Sequence, residues 1–500
     1  MDGHRQPTVV IVGAGMSGIC MGIKLKQAGI ESFTIYEKGS SVGGTWRDNT
    51  YPGLSCDVPS RFYQYSFRSN PDWTHLFSPG REIWEYFDRA ADEYDLGPHI
   101  TFNTEVLGAD FANGRWRIRT SDGKETVADF LISATGVLHH PRYPDIEGLD
   151  TFAGAAFHSA RWDHDAELAG KRVGVVGTGS TAVQLTSDIA RKVERLLVFQ
   201  RSAQWVFPVP NWRYSRHTRA TYRRIPALSR IGYLGYKKLL DVTIFRAVIE
   251  PGWQRWLMSS ICRLNLRTVR DPELRRALTP DYQPMCKRLV MAPHFYREVQ
   301  RANVDIVTEG IQRVEPRGIV TRDGRLHELD VLVLATGFDS HAYVRPMELA
   351  GVAGITLEEA WRHGPRAYRT VALPGFPNFF MLMGPHSPIG NYSLVAIAET
   401  QVRFVMKWIS RWCAGEVATL VPTEEATERF NLQMRAAMPS TVWVTGCRSW
   451  YLGKDGVPEL WPWTPAKHEA MLREPDPAEF HLEPVPDSAT PDPAESSPAS

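Results

Sequence analysis

The chain alternates short unbroken apolar runs with amphipathic stretches. Val9-Val10-Ile11-Val12 is apolar at every position, the pattern of a parallel strand buried on both faces. A Gly-rich turn, an amphipathic helix and a second apolar run, Phe33-Thr34-Ile35-Tyr36, follow it. The same order recurs over 172–201, with Val173-Gly174-Val175-Val176 before a second Gly-rich turn and Leu197-Val198-Phe199-Gln200 after it. Two further apolar runs end in Ala-Thr-Gly, at 131–136 and 333–337, and would return the chain to each sheet after an excursion. The pattern predicts an α/β fold with two Rossmann-like dinucleotide-binding domains, both discontinuous. One joins 1–140 to 380–475, the other 152–208 to 330–380, and a helical insertion occupies 209–329.

Composition narrows the class. Five hundred residues suggest roughly three domains, and 43% hydrophobic with 23% charged residues is ordinary for a globular chain. A net charge of +1 gives no nucleic-acid footprint. No run of about 18 uncharged apolar residues appears, so no transmembrane segment is expected. The first ten residues lack a basic-then-apolar leader, which points to a cytoplasmic protein. The six cysteines include no CxxC pair. Neither a metal site nor a redox dithiol is therefore expected, and most of the cysteines read as small buried residues.

Two segments depart from the average. Residues 213–276 hold 15 Lys and Arg against Asp241, Glu250, Asp271 and Glu273. A solvated face is the plain reading; steering of an anionic cofactor, or weak peripheral contact with an anionic membrane, are the others. The aromatic residues there (Tyr233, Phe245, Trp253, Trp256) read as core. Residues 475–500 hold seven prolines, six acids and no Lys or Arg, so 476–500 is expected to be a disordered tail.

The Gly-rich turns carry the chemistry. In Gly13-Ala14-Gly15-Met16-Ser17-Gly18, Gly13 permits the tight turn, Gly15 admits a pyrophosphate and Gly18 allows close helix–strand packing. Glu37, at the end of the next strand, is placed to accept from a ribose hydroxyl. The second turn reads Gly177-Thr178-Gly179-Ser180-Thr181-Ala182, Ala being a usual variant at its last position. Glu37 stands 24 residues after Gly13, and the same offset from Gly177 reaches Arg201. A guanidinium can grip a 2′-phosphate that a carboxylate would repel, so this site should prefer NADPH. Two dinucleotide sites imply hydride transfer between them, most simply from NADPH to FAD.

Phe152-x-Gly154-x-x-x-His158-x-x-x-Trp162-Asp163 lies at the start of the second half, and Gly43-Gly44-Thr45-Trp46, continuing through Tyr51-Pro52-Gly53 to Asp57, follows the first. Together these resemble the paired signatures of the type I Baeyer–Villiger monooxygenases, and the resemblance runs to about residue 465. It implies an FAD- and NADPH-dependent enzyme that uses O2, through a C4a-peroxyflavin, to insert one oxygen beside a ketone carbonyl, giving an ester or lactone. It also implies that Arg288 stabilises the reacting oxygen, that Asp57 holds Arg288, and that the adjacent Lys287 shares the catalytic position. Thr45, Trp46, Asp57, Tyr63 and Val106 match FAD contacts, as does Gly44 in the long signature. Ser202 would join Arg201 at the 2′-phosphate, and Trp450 would close over NADP. The run Trp450-Tyr451-Leu452-Gly453-Lys454-Asp455-Gly456 departs from the family's usual continuation there. The alternatives are a flavin monooxygenase acting on nitrogen or sulfur of small molecules, and an FAD/NADP-binding protein without oxygenation. Substrate identity and oligomeric state are not legible.

Overall fold

A computed structural model describes residues 5–388 and 390–485. Two five-stranded parallel sheets organise it. The first runs Phe379–Met381, Phe130–Ser133, Val9–Val12, Phe33–Tyr36, Ile100–Thr101. Val9–Val12 is central and buried throughout, which is why it contains no polar residue. Helix Met16–Gln27 covers one face and is itself backed by helix Leu394–Cys413. The second sheet runs Val304–Val307, Arg195–Phe199, Arg172–Val176, Val331–Leu334, Ala155–His158. Helix Ser180–Ile189 follows its central strand. Both runs ending in Ala-Thr-Gly supply interior strands, so each glycine turn sits in a Rossmann-like sheet built from distant parts of the chain.

Sheet membership shifts the boundaries expected from sequence. The stretch 209–329 is helical mainly in its first part, over Arg216–Arg224, Pro226–Leu240, Arg246–Ile249, Trp253–Leu266 and Pro272–Ala277, with one more turn at Phe295–Glu298. Val304–Val307 then joins the second sheet, and three antiparallel strands between Ile311 and Glu328 bury Val314 and Ile319 against Phe199 and Leu332. Asp305 interrupts the first of these strands, Val304–Val307, which therefore lacks the unbroken apolar run that marks Val9–Val12. At the other boundary, Glu348–Ala350 pairs with Val106–Ala112, and Met347 and Leu349 pack with Val10 and Leu131. The chain is thus back in the first domain well before residue 380.

Three further expectations are corrected. Tyr233 and Phe245 are core, but Trp253 and Trp256 are 65% and 68% exposed. The tail is not wholly unstructured: Phe480–Glu483 pairs antiparallel with Thr419–Pro422, and the Phe480 ring packs on Tyr368 and Trp408. One aromatic side chain anchors a segment that is otherwise Pro-rich and acidic, and 486–500 lie outside the described residues. Finally, Cys286 and Cys447 form a disulfide across 161 residues, whereas Cys20, Cys56, Cys262 and Cys413 are free. Their distance in sequence hid the pair. Among the described residues no helix is long and apolar enough to cross a membrane.

Candidate active site

The two glycine turns share one construction. Gly13 has φ +105°, and a Cβ there would lie 2.8 Å from the Ala134 carbonyl oxygen; one on Gly18 would lie 1.9 Å from that of Gly13. Gly177 repeats the first constraint, with φ +125° and Ala335 O at 2.3 Å. At Gly15 and Gly179 the opposite holds, because nothing presses on them closer than 3.8 Å. Side chains are thus excluded where strand meets helix and space is left where a phosphate would lie. Helices Met16–Gln27 and Ser180–Ile189 have glycine N-caps with no side-chain bond, whereas Ser393 and Thr423 cap helices Leu394–Cys413 and Glu424–Ala437. Free amides and the positive end of each helix dipole therefore remain for an anion at both turns.

Around the turns the charges differ. At the first, Glu37 is buried, accepting from Ala14 N at 2.9 Å, Gly39 N at 2.7 Å and Arg47 Nη1 at 2.9 Å. A carboxylate offers about four acceptor positions, so one is left for a hydroxyl. At the second, Arg201 is exposed and has no carboxylate partner among the described residues. Thr178 Oγ1 donates to Ser202 O at 2.6 Å, and Lys287 Nζ donates to Ser202 Oγ at 2.8 Å while lying 4.5 Å above the Tyr282 ring. Burial lowers the Lys287 pKa, Asp281 opposes that, and Arg201 adds to it. Two cations and a hydroxyl thus converge with no anion to neutralise Arg201.

The long signature links the halves. Gly43 N donates to Ala14 O at 2.9 Å, and Gly44 lies against Gly15, which seats Thr45–Asp48 beside the first turn. Trp46 Nε1 donates to Tyr63 OH at 3.1 Å. Farther along, Tyr51 OH donates to Gln184 Oε1 at 2.8 Å and Gln184 Nε2 donates to Ser55 O at 2.9 Å. Gln184 belongs to the helix after the second turn. Gly53, with φ +82°, lets that helix come close, since a Cβ would meet Gln184 O at 2.7 Å. The signature then ends at Asp57, where Arg288 donates from Nε at 2.5 Å to Oδ2 and from Nη2 at 2.6 Å to Oδ1. Burial would lower the Arg288 pKa, but Asp57 outweighs it and the guanidinium stays charged. The Arg288 and Asp57 side chains are 23% and 13% exposed. Nη1 takes no part in this fork and makes no hydrogen bond among the described residues, and the Tyr451 hydroxyl lies beside the guanidinium.

Lys287 and Arg288 were expected together at the reacting centre. Their side chains diverge: Arg288 meets the signature of the first half, Lys287 meets Ser202 at the second turn. Lys287 thus lies with Ser202 beside the second turn rather than with Asp57 and Arg288. Asn391 was missed; its Oδ1 accepts from Leu289 N at 3.1 Å and its Nδ2 donates to Leu289 O at 3.0 Å, clamping the backbone beside Arg288. Tyr451, quoted in sequence only as the neighbour of Trp450, is buried, with its hydroxyl pKa pushed up to about 12 by burial although Arg288 draws it down. Neither has a local sequence signal. Trp450 is exposed, and its carbonyl accepts from Ser340 Oγ at 3.3 Å, just beyond the second Ala-Thr-Gly run. Val106 is buried with Val10 and Tyr36. His158 closes strand Ala155–His158, accepting from Ala160 N at 3.1 Å, and burial keeps its pKa low. Gly154 packs where a Cβ would lie 2.2 Å from Asp330 O. That signature orders a strand edge rather than presenting reactive groups.

A two-sheet, two-turn architecture joined by a charged fork defines a two-dinucleotide oxidoreductase. The pyridine nucleotide-disulphide oxidoreductase family model matches residues 10–230; that stretch holds only Cys20 and Cys56, not a CxxC pair. An uncharacterized monooxygenase of Mycobacterium tuberculosis is 57% identical, over 96% of both chains. A Baeyer–Villiger monooxygenase of Streptomyces coelicolor is 39% identical, over 97% of this chain and 94% of its own. Among solved structures, OTEMO in complex with FAD and NADP superposes with a TM-score of 0.86 at 28% identity, covering 96% of this chain and all of that one. The chain belongs to the Baeyer–Villiger monooxygenases.

Proposed function

We propose that this protein uses NADPH and O2 to convert a ketone to an ester or lactone, with FAD on the first glycine turn and NADPH on the second. The fit of both groups rests on the uncapped helix N-termini and the open faces of Gly15 and Gly179. When bound, FAD reduced by NADPH supplies the flavin that activates O2.

The protein's own residues divide the remaining work. Gly13, Gly15, Ser17, Gly18 and Glu37 bind and orient FAD, with Gly44, Thr45, Trp46 and Tyr63 beside it. Gly177, Thr178, Gly179, Ser180, Thr181 and Ala182 cradle the NADPH pyrophosphate. Arg201, Ser202 and Lys287 grip its 2′-phosphate, and Trp450 covers the bound nucleotide. Arg288 aims its free Nη1 at the oxygen on which negative charge develops during carbonyl attack. A guanidinium stabilises that charge without surrendering its proton. Asp57 keeps Arg288 in one orientation, and Asn391 holds the backbone that carries it.

The Asp57–Arg288 fork carries this reading, because oxygen transfer to nitrogen or sulfur leaves no carbonyl oxyanion for it to serve. Incubation of the FAD-loaded protein with NADPH, O2 and a panel of cyclic, acyclic and aryl ketones, beside a sulfide, tests it. Ester formed in step with NADPH consumed is expected. Sulfoxide as sole product, or NADPH spent only on hydrogen peroxide, would overturn it.

A further inference from the structure

We propose that the face formed by helices Pro226–Leu240 and Trp253–Leu266 docks this protein onto an anionic phospholipid bilayer. Sixteen large apolar side chains are exposed among the described residues, and nine of them lie between Trp212 and Leu264. Such concentration marks a contact surface rather than scatter. On the first helix Ile231, Leu234 and Leu239 form a stripe at helical spacing, which Val242 continues. On the second, Trp253, Trp256 and Leu264 do the same. The second helix packs against the segment 241–249 that extends the first.

Charge identifies the occupant. Arg230, Lys238 and Arg263 are exposed on the same two helices, and Arg267 is exposed just past the end of the second. Arg263 and Arg267, with Arg275 and Arg276, line a cleft of about 650 Å³, and none of the four has a carboxylate partner among the described residues. Of the acids nearby, Glu250 pairs with Arg246 and Asp271 accepts from Leu274 N at 2.7 Å; Asp241, Glu273 and Asp281, the last in the cleft itself, are outnumbered by the cations. The whole chain is nearly neutral, so the basic charge is local to this face. Exposed Trp and Leu bordered by Lys and Arg suit helices lying in an interface, the apolar side chains entering the acyl boundary and the cations meeting lipid phosphates. A second copy fits less well, since an isologous contact would set this arginine-rich face against itself.

The test is co-sedimentation of the full-length, FAD-loaded protein with vesicles of phosphatidylglycerol and phosphatidylcholine, against phosphatidylcholine alone. Binding to the anionic vesicles is expected, falling about tenfold or more on neutral vesicles or in high salt. Trp253→Ser combined with Trp256→Ser should weaken it about tenfold while flavin content and NADPH oxidation stay unchanged. Arg263→Glu with Arg267→Glu should abolish it with both tryptophans intact. Failure of the wild-type protein to bind anionic vesicles would overturn the proposal. So would a wild-type dimer that the double tryptophan variant converts to monomer, which would assign the face to a second copy.

Discussion

The two glycine turns carry the same backbone solution and opposite electrostatics. Each excludes Cβ atoms where strand meets helix, leaves one glycine open and presents an uncapped helix N-terminus. At the matched position beyond the turn, one has a buried carboxylate already holding three donors, and the other an exposed guanidinium with a lysine and a serine close by. On the proposed reading, backbone geometry makes the pyrophosphate site, and one side chain 24 residues downstream decides which nucleotide it suits. The chemistry belongs to neither turn but to the seam between them, where Asp57 and Arg288 meet.

The largest test of this division is Arg288→Ala. Ester formation should fall on the order of 10²–10³, the usual consequence of removing one preorganised donor. Anaerobic flavin reduction by NADPH should proceed at the wild-type rate, because Arg288 touches neither turn. Stopped-flow reduction read beside product analysis separates the two effects. Loss of reduction together with ester would show that the seam also serves hydride transfer, and the contrast drawn here would fail.

Next in size is the disulfide, which ties the loop of Lys287 and Arg288 to the loop of Trp450. Opening it should cost about 2–4 kcal/mol of stability, seen as a lower denaturant midpoint in reducing buffer. Cys447→Ser should show the same midpoint and no further response to reductant. Equal midpoints with and without reductant would mean that packing alone holds the seam closed.

Arg201→Gln sharpens the contrast between the turns. A charge-assisted bond to a phosphate contributes about 1.5–3 kcal/mol, so the preference for NADPH over NADH should fall about ten- to hundredfold. The KM for NADH should stay put, because that nucleotide has no 2′-phosphate to lose. A variant that keeps its preference would move recognition to Lys287 and Ser202.

Much of this was legible in sequence, for reasons that are local. The glycine spacing, the apolar runs and the Glu37/Arg201 offset are short-range patterns, and each marks the element that the structure contains. The seam was not legible from residue physics. Asp57 and Arg288 are 231 residues apart, and only their match to family signatures suggested a pairing. Separation in sequence also conceals Asn391, 102 residues from Leu289, and the Cys286–Cys447 link, which spans 161. Val304–Val307 has no local signal because Asp305 breaks its apolar run, and the exposure of Trp253 and Trp256 is hidden because helical spacing cannot say whether an apolar face is covered.

The smallest effect concerns how the two sites stay in register. Gln184 sits on the helix of the second turn yet bonds both Tyr51 and Ser55 of the signature beside the first. Gln184→Leu keeps the side chain's bulk but strands the Tyr51 hydroxyl and the Ser55 carbonyl. Each lost bond is worth about 1 kcal/mol, so the denaturant midpoint should shift slightly. Because Gly53 and the helix would still pack, both nucleotides should bind as before. What should change is the rate of flavin reduction at saturating NADPH, lower by a few-fold if the clamp aligns the two halves. An unchanged rate with the expected loss of stability would make Gln184 a fastener and nothing more, and would leave alignment to the Asp57–Arg288 fork.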